Sequence, residues 1–202
     1  MSAAAQTPLP TIAVVIASTR PGRKGDVVAR WVLDEATKRE DARFELIDLL
    51  AVDLPALDEP APPASGRYTQ PHTRAWATTI ARFDGYLFVT PEYNHGYPGS
   101  LKNALDRAYA EWNHKAAGFV SYGVDGGVRA VEQLRAVVAT LKLADVGPQV
   151  ALNVFTDFDP SLGVIPQDHH IAALTRLLDD LVSWSTALAP LHERAEAAST
   201  AR

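Results

Sequence analysis

The amino-acid sequence predicts a doubly wound α/β fold, in which an open parallel sheet carries helices on both faces. Two observations lead to this prediction. Continuous apolar runs of strand length, such as residues 11–17 and 86–90, are typical of strands that are buried on both faces. These runs alternate with segments in which apolar residues recur at helical spacing, and that alternation favours right-handed crossovers between parallel strands.

The size and composition of the chain fit one such domain. It has 202 residues, of which 47% are hydrophobic and 21% are charged, so it can bury a substantial core. We expect a single three-layer α/β/α domain at residues 11–190. A flexible lead-in at residues 1–10 and a flexible tail at residues 191–202 are expected to flank it.

The strands are short apolar runs bounded by turn residues. They are predicted at residues 11–17, 44–49, 86–90, 116–122 and 145–152. The last of them contains Pro148, which cannot donate a ladder hydrogen bond, so this strand is expected at an edge of the sheet.

The helices are segments in which apolar residues recur three and four positions apart. They are predicted at residues 24–39, 71–83, 100–112, 127–141 and 168–188.

Two segments are predicted to be irregular. Four prolines block regular structure in residues 51–70, which are predicted to form a loop. Residues 153–170 are predicted to be long and irregular, and their composition indicates no role.

Five strands are most economically arranged in the flavodoxin-like order 2-1-3-4-5, in which strands 1 and 3 are neighbours at the topological switch point. The loops after strands 1, 3 and 4 would then converge on one crevice at the carboxyl edge of the sheet. These are also the three loops with unusual chemistry.

The loop after strand 1 is suited to a phosphate monoester. Hydroxyl groups of Ser18 and Thr19 and guanidinium groups of Arg20 and Arg23 precede a helix, whose amino terminus attracts anions. The Walker pattern and the dinucleotide Gly-x-Gly-x-x-Gly fingerprint are both absent. The alternative is that Ser18 or Thr19 only caps the helix while the basic side chains face solvent.

The loop after strand 3 is suited to a flat ring system. Pro91 fixes the backbone, and Gly96 allows it to approach a ligand closely. Tyr93 and Tyr97 offer aromatic faces, and Asn94 can both donate and accept hydrogen bonds.

Ordinary structural roles are open for three polar residues of the same loop. Asn94 and His95 could be turn residues that bond their own backbone, and Glu92 could be a surface charge. His95 could also be a proton donor or form a wall of a substrate pocket.

The loop after strand 4 is rich in glycine, which frees backbone amides to face a ligand. Its candidate residues are Ser121, Tyr122, Gly123, Gly126 and Gly127. In the absence of the other two loops this segment would be interpreted as a tight turn.

Charge and residue usage exclude several classes of function. A net charge of −5 provides no basic surface for nucleic acid, and no window is apolar enough for a membrane span. The chain has no cysteine, which excludes disulfides, thiolate catalysis and iron–sulfur clusters and fits a cytoplasmic location. The six histidines are scattered, so no metal site is expected.

These segments together resemble the NADPH-dependent FMN reductase family, which comprises flavodoxin-like quinone, azo-dye and chromate reductases. The resemblance extends over residues 11–188 and is carried by residues 16–23, 53–55, 91–98, 101–106 and 121–127. It implies non-covalently bound FMN and NADPH or NADH as co-substrate.

The resemblance also implies roles for individual residues. The phosphate would be held by Ser18, Arg20, Thr19 and Arg23, and the ring system by Pro91, Glu92, Tyr93, Asn94, Gly96, Ser121, Gly123, Gly126 and Gly127. The substrate pocket would be lined by His95, Tyr97 and Tyr122. No catalytic acid is assigned, because the cofactor carries the chemistry.

The implied reaction passes hydride from a nicotinamide to FMN and then to a quinone, free flavin, azo compound or similar small-molecule acceptor, by a ping-pong mechanism. The resemblance further implies a homodimer or homotetramer with the helix at Leu101 between subunits. The alternatives are a flavodoxin-like electron carrier and a flavin-binding module without turnover. The modest net charge argues against the carrier, because such carriers are strongly acidic.

Overall fold

The computed structural model of the chain describes residues 8–161 and 163–200, with residues 193–200 described by their backbone alone. Most of the predicted lead-in, residues 1–7, and the last two residues of the predicted tail lie outside the described part.

Strands and helices alternate along the chain as the sequence predicts. In chain order they are β1 (Thr11–Ile16), α1 (Gly25–Ala36), β2 (Arg43–Asp48), α2 (Leu49–Val52), α3 (Pro71–Ala81), β3 (Gly85–Pro91), α4 (Gly99–Asp106), β4 (Ala116–Gly123), α5 (Val128–Thr140), β5 (Ala144–Asn153), β6 (Phe158–Asp159), β7 (Gly163–Val164) and α6 (Asp168–Thr200). Two 3₁₀ turns, Pro63–Ser65 and Ala110–Trp112, complete the described elements.

The main sheet has five parallel strands in the order β2-β1-β3-β4-β5, which confirms the predicted flavodoxin-like topology. β5 lies at an edge, as Pro148 indicated. Near the carboxyl ends, Val89 of β3 is paired with Ile16 of β1 on one side and with Val120 of β4 on the other. The loops after these three strands therefore leave the sheet side by side.

Two apolar layers cover the sheet, because successive side chains of a strand point to opposite faces. Val14 belongs to the layer formed with α1 and α6, and Val15 belongs to the layer formed with α3, α4 and α5. Every residue of β3 and β4 is buried. Burial of each large apolar side chain stabilises the fold by about 1.5–3 kcal/mol, so the central strands form a rigid base for the three loops.

Tertiary packing shortens the helix that was predicted at residues 100–112. α4 ends at Asp106, and the chain then turns so that Trp112 packs edge-on against Tyr86 and donates its indole N–H to the Leu105 carbonyl. Leu101 and Leu105 are buried in the core of the chain itself. Packing within one subunit therefore accounts for their apolar character, and the subunit contact that the resemblance implies for this helix stays a prediction.

Three other segments differ from the prediction. A single helical turn, α2, interrupts the predicted loop because the Asp48 side chain accepts a hydrogen bond from the Leu50 amide at 2.9 Å. α6 continues past residue 188 to Thr200, through a region of good helix formers, so a helix occupies most of the range that was predicted as a flexible tail. Residues 153–170 contain the short antiparallel hairpin β6-β7.

Among the described residues, no helix combines the length and the apolar character that crossing a bilayer requires. The same part of the chain contains no group of three or more acidic or histidine side chains that could hold a metal ion.

Candidate functional site

Two clefts lie at the carboxyl edge of the sheet, on either side of the loop that follows β1. The first has a volume of about 280 Å³ and is lined by Arg20, Gly22, Arg23, Lys24, Pro91, Glu92, Tyr93, Tyr122 and Val154. The second has a volume of about 240 Å³ and is lined by Thr19, Leu49, Leu50, Asp53, Leu54, Ser100 and Asn103. The first cleft thus combines residues from all three strand ends that the sequence predicted to converge.

Arg23 fixes the loop after β1 from the inside. One of its terminal amino groups donates to the Ser18 carbonyl at 2.6 Å and to Asp48 at 2.7 Å, and the other contacts Asp48 and Asp26, both at 2.7 Å. Hydrogen bonding to Asp48 raises the pKa of Arg23, so the side chain is permanently charged. Both amino groups are committed to the protein, so Arg23 shapes the loop and does not offer these donors to a phosphate, contrary to the sequence-based assignment.

Ser18 and Arg20 differ sharply in exposure. Ser18 is fully buried, and its Oγ lies 2.7 Å from the Tyr93 hydroxyl, which joins the loop after β1 to the loop after β3. Arg20 is exposed at the first cleft, and within the described residues its side chain makes no ion pair or hydrogen bond. Arg20 is therefore available for an anion, whereas Thr19 is half-buried and lines the second cleft.

Lys24 is a second available cation that the sequence analysis did not place in the site. Its Nζ lies 4.6 Å from the centre of the Phe158 ring, in a cation–π arrangement, and it has no acidic partner in the described part of the chain. The sequence could have indicated this role. A lysine at the start of a helix is unfavourable for the helix dipole unless an anion binds there.

The loop after β3 is a rigid turn. Tyr93 and Gly96 exchange two backbone hydrogen bonds, of 2.8 and 3.0 Å, and the intervening Asn94 and His95 have φ values of 50° and 67°. The His95 carbonyl accepts from the Gln133 amide at 2.8 Å, which pins the turn to α5. Asn94 and His95 are therefore turn residues, one of the two alternatives that the sequence left open.

The three residues predicted to line a substrate pocket have different positions. Tyr122 lines the first cleft, whereas His95 and Tyr97 line neither of the two clefts. Tyr97 instead packs against the core on the side of α4, and its burial raises its pKa.

Tyr122 provides a buried polar atom at the cleft wall. Its ring lies 6.2 Å from that of Phe158, and its hydroxyl makes no hydrogen bond of normal geometry within the described residues. Burial raises the pKa of Tyr122, so the hydroxyl stays neutral and can donate. The oxygen is not exposed at the cleft surface, and the Ser18 side chain is a polar neighbour that lowers its pKa, so a ligand in the cleft would contact the ring of Tyr122 and not its hydroxyl.

The loop after β4 requires glycine at two positions. Gly126 and Gly127 have φ values of 73° and 76°, and a Cβ at Gly127 would lie 2.8 Å from the Cβ of Ser121. The hydroxyl of Ser121, which is fully buried, donates to the Gly126 carbonyl at 2.7 Å. Ser121 therefore stabilises the turn through this hydrogen bond. Its hydroxyl is not directed at a ligand, although the sequence analysis expected that it would be.

Glu92 joins the loops after β3 and β4 through Arg129. Its carboxylate accepts from the Arg129 backbone amide at 3.1 Å and from the Arg129 side chain at 2.7 Å, while the same guanidinium contacts Asp125 at 2.6 Å. A Cβ at Gly123 would lie 3.2 Å from the Cβ of Glu92, so the two loops are in close contact. The carboxylate of Glu92 thus points to α5, and only its backbone remains for the ring contact that the resemblance implied.

The segment after β5 supplies a further wall that the sequence did not predict. Val154 lines the first cleft, and the hairpin is anchored by the buried Asp157, whose carbonyl accepts from the Ile165 amide at 2.8 Å. The Asp157 carboxylate lies 3.5 Å from His170, whose pKa is lowered by burial. Val154 is therefore part of the cleft wall, and Phe158 of the hairpin lies beside Lys24 and Tyr122.

These residues fit a ligand that has an anionic end and a flat polar end. Arg20 and Lys24 provide positive charge beside the amino terminus of α1, while Tyr93 and Tyr122 provide aromatic side chains. FMN, with its phosphate and its ring system, has this shape and chemistry.

Comparisons with known proteins identify the family of the chain. The family model of the NADPH-dependent FMN reductase matches residues 10–157. An NAD(P)H-dependent FMN reductase of Schizosaccharomyces pombe is 42% identical over 150 residues, which cover 73% of this chain and 75% of that protein. A quinone reductase of Escherichia coli is 30% identical over 138 residues, which cover 64% of this chain and 70% of that protein.

A solved structure of similar fold is FerB, a flavoenzyme NAD(P)H:(acceptor) oxidoreductase from Paracoccus denitrificans. It superimposes with a TM-score of 0.69 at 23% identity and covers 89% of this chain and 99% of that chain, a likeness that shows the fold. The family match extends over the β-strands and loops that form the crevice. The chain therefore belongs to the NADPH-dependent FMN reductase family, and it is an NAD(P)H-dependent oxidoreductase with FMN as cofactor.

Proposed function

We propose that this protein transfers hydride from NADPH or NADH to a quinone, free flavin, azo compound or similar small-molecule acceptor by a ping-pong mechanism, with FMN in the first cleft. The observation that carries the proposal is the convergence, at one crevice, of two cations that have no acidic partner among the described residues, Arg20 and Lys24, with the aromatic side chains of Tyr93 and Tyr122. When bound, FMN supplies the chemistry of accepting and donating hydride. The protein residues bind and orient it.

Arg20 and Lys24 are proposed to hold the phosphate end. Both line the first cleft, and α1 begins at Gly25, so the positive end of the helix dipole adds to their charge. Arg23 keeps the loop in shape through Asp48, so the backbone amides of the loop are presented in a fixed geometry.

The ring end is proposed to lie against the two loops that follow β3 and β4. Tyr93 and Tyr122 offer aromatic side chains to the ring there. The glycines of the second loop let its backbone approach closely. No side chain is assigned as acid or base, since His95 is held in a turn and lines neither of the two clefts.

The ping-pong order follows from the proposed placement of the ring. With one face of the ring against the loops that follow β3 and β4, a nicotinamide and a second acceptor would use the same exposed face in turn.

We also propose a homodimer or homotetramer located in the cytoplasm, where the reduced nicotinamide is supplied. Leu50, which lines the second cleft, is 49% exposed, and Leu57 of the same loop is 46% exposed, so a partner subunit would cover apolar surface there. Light scattering of the purified holoprotein measures the state directly, and a monomer at micromolar concentration would contradict this part of the proposal.

Steady-state kinetics test the proposed reaction. We expect purified protein to be yellow, to release FMN on heating and to oxidise NADPH or NADH when benzoquinone, free FMN or an azo dye is added. Double-reciprocal plots at several acceptor concentrations should be parallel. Intersecting lines would contradict the ping-pong order, and the absence of turnover with every acceptor would contradict the activity.

A further inference from the structure

We infer that Arg129 is a positioning residue that acts through Glu92 to set how strongly the site prefers reduced over oxidised FMN. The inference rests on the placement of FMN in the first cleft proposed above. Arg129 lines neither of the two clefts, so its influence on the cofactor has to pass through Glu92, a residue of the first cleft whose carboxylate is held beside that cleft by Arg129.

Glu92 is a charged group that the fold has almost completely removed from water. Its side chain is 7% exposed, and its backbone amide is fixed by a 2.9 Å hydrogen bond to the Tyr122 carbonyl at the end of β4. A buried carboxylate is stable only when it is paired and hydrogen-bonded. Arg129 provides both, with its guanidinium 2.6 Å from one oxygen and its backbone amide 3.1 Å from the other.

Arg129 occupies an unusual position for a cation. It is the second residue of α5, where the positive end of the helix dipole disfavours a basic side chain. Gly127, which precedes the helix, has no side chain to cap it, and the Glu92 carboxylate takes over that function from another loop. Glu92 therefore caps the helix and neutralises Arg129 at the same time, which distinguishes this contact from an ordinary surface ion pair.

The pair also fixes the distance between the two loops that enclose the ring end. Arg129 contacts Glu92 after β3 and Asp125 after β4 with the same guanidinium, and both contacts measure 2.6 Å. The side chains of Arg129 and Asp125 are 38% and 58% exposed, so the buried charge of Glu92 is the one that a nearby ligand would sense most strongly.

The electrostatic consequence has a definite sign. FMN acquires negative charge on two-electron reduction, so an uncompensated carboxylate beside the ring disfavours the reduced form, whereas an uncompensated guanidinium favours it. Arg129→Ala should thus weaken the binding of reduced FMN about tenfold more than that of oxidised FMN. For a two-electron couple this equals a midpoint potential lower by about 30 mV.

The opposite substitution should have the opposite effect. Glu92→Gln keeps the shape of the side chain, removes the negative charge and leaves Arg129 paired only with Asp125. The ratio of reduced to oxidised affinity should then rise, and the double variant Glu92→Gln with Arg129→Ala should return to within about twofold of the unmodified protein.

The experiment measures the dissociation constant of oxidised FMN by fluorescence quenching and the midpoint potential of the bound cofactor by dye equilibration, both at pH 8. Arg135→Ala is the matched control, because Arg135 lies on the same helix and pairs with Asp145 at its other end. Thermal melting of each cofactor-free variant shows that it is folded.

The outcomes separate the inference from the proposed function. Absence of FMN binding by the unmodified protein would contradict the FMN site. If that protein binds FMN and the two single variants shift the potential in opposite directions, the inference is supported. Equal losses of affinity with no change in potential, or a double variant that stays shifted, would overturn it and leave Arg129 a purely structural residue.

Discussion

Replacing Arg23 with alanine tests whether this side chain supports the loop after β1 or contacts the cofactor. The guanidinium makes three hydrogen bonds of 2.6–2.7 Å to Ser18 and Asp48, and the side chain is 7% exposed. Removing one partner of a buried pair costs about 3–5 kcal/mol. Asp48 is 25% exposed and keeps its bond to the Leu50 amide, so we expect a loss at or below the lower limit, about 2–3 kcal/mol.

Urea unfolding of the cofactor-free protein, followed by circular dichroism, measures this loss of stability. For a chain of this size, each kcal/mol corresponds to about 2–4 °C in melting temperature, so a decrease of roughly 4–12 °C is expected. Arg23→Lys should recover only part of the loss, because an ammonium group cannot form the two parallel bonds that Arg23 makes with Asp48.

The control is Arg20→Ala, which removes an exposed arginine from the same loop. If Arg23 acts as a support, its replacement lowers stability without cofactor, whereas the replacement of Arg20 does not. A cofactor-free Arg23→Ala protein whose unfolding free energy stays within about 0.5 kcal/mol of the original, with FMN affinity strongly reduced, would refute this reasoning and place Arg23 on the phosphate.

Three further predictions concern binding and pH. Arg20→Ala should raise the FMN dissociation constant about ten- to hundredfold, because a charge-assisted hydrogen bond contributes about 1.5–3 kcal/mol, and fluorescence titration measures it; unchanged affinity would remove Arg20 from the site. Tyr122→Phe should leave cofactor-free stability within about 0.5 kcal/mol, since the buried hydroxyl makes no hydrogen bond of normal geometry, and should change FMN affinity less than about twofold, since that hydroxyl is not exposed at the cleft; urea unfolding and fluorescence titration measure the two, and a clear loss of cofactor-free stability would show that the hydroxyl is bonded within the protein. Hydrogen bonding to Arg23 lowers the pKa of Asp48, so this carboxylate stabilises the fold above its unfolded pKa of about 3.9, and that contribution is lost as the pH falls through the lower folded value. The free energy of unfolding should therefore decrease more steeply between pH 5 and 2 in the original protein than in Asp48→Asn. The same dependence on pH in both proteins would contradict the pairing of Asp48 with Arg23.

The sheet order and the position of the crevice could be predicted from the sequence because they depend on local patterns. Buried runs such as residues 86–90 identify central strands, and parallel strands bring their carboxyl ends to one edge. The convergence of the three loops at one edge therefore follows from the sequence pattern alone.

The roles of individual side chains were harder to predict because their partners are distant in the chain. Arg23 bonds Asp48, and Glu92 bonds Arg129, which is 37 positions away. A basic residue in the first turn of a helix is unfavourable, so Arg129 could have indicated an acidic partner, but the identity of that partner depends on the packed loops. The end of α4 likewise depends on where Trp112 packs.

The hairpin β6-β7 has a consequence for how the first cleft can vary. Val154, which lines this cleft, lies inside the family match, whereas Phe158 lies just beyond it, under the Lys24 ammonium and beside the Tyr122 ring. The two short strands form a sheet of their own, so changes there would leave the strand pairing of the five-stranded sheet untouched. We therefore expect substitutions at Phe158 to alter the position of Lys24 without disturbing the main sheet.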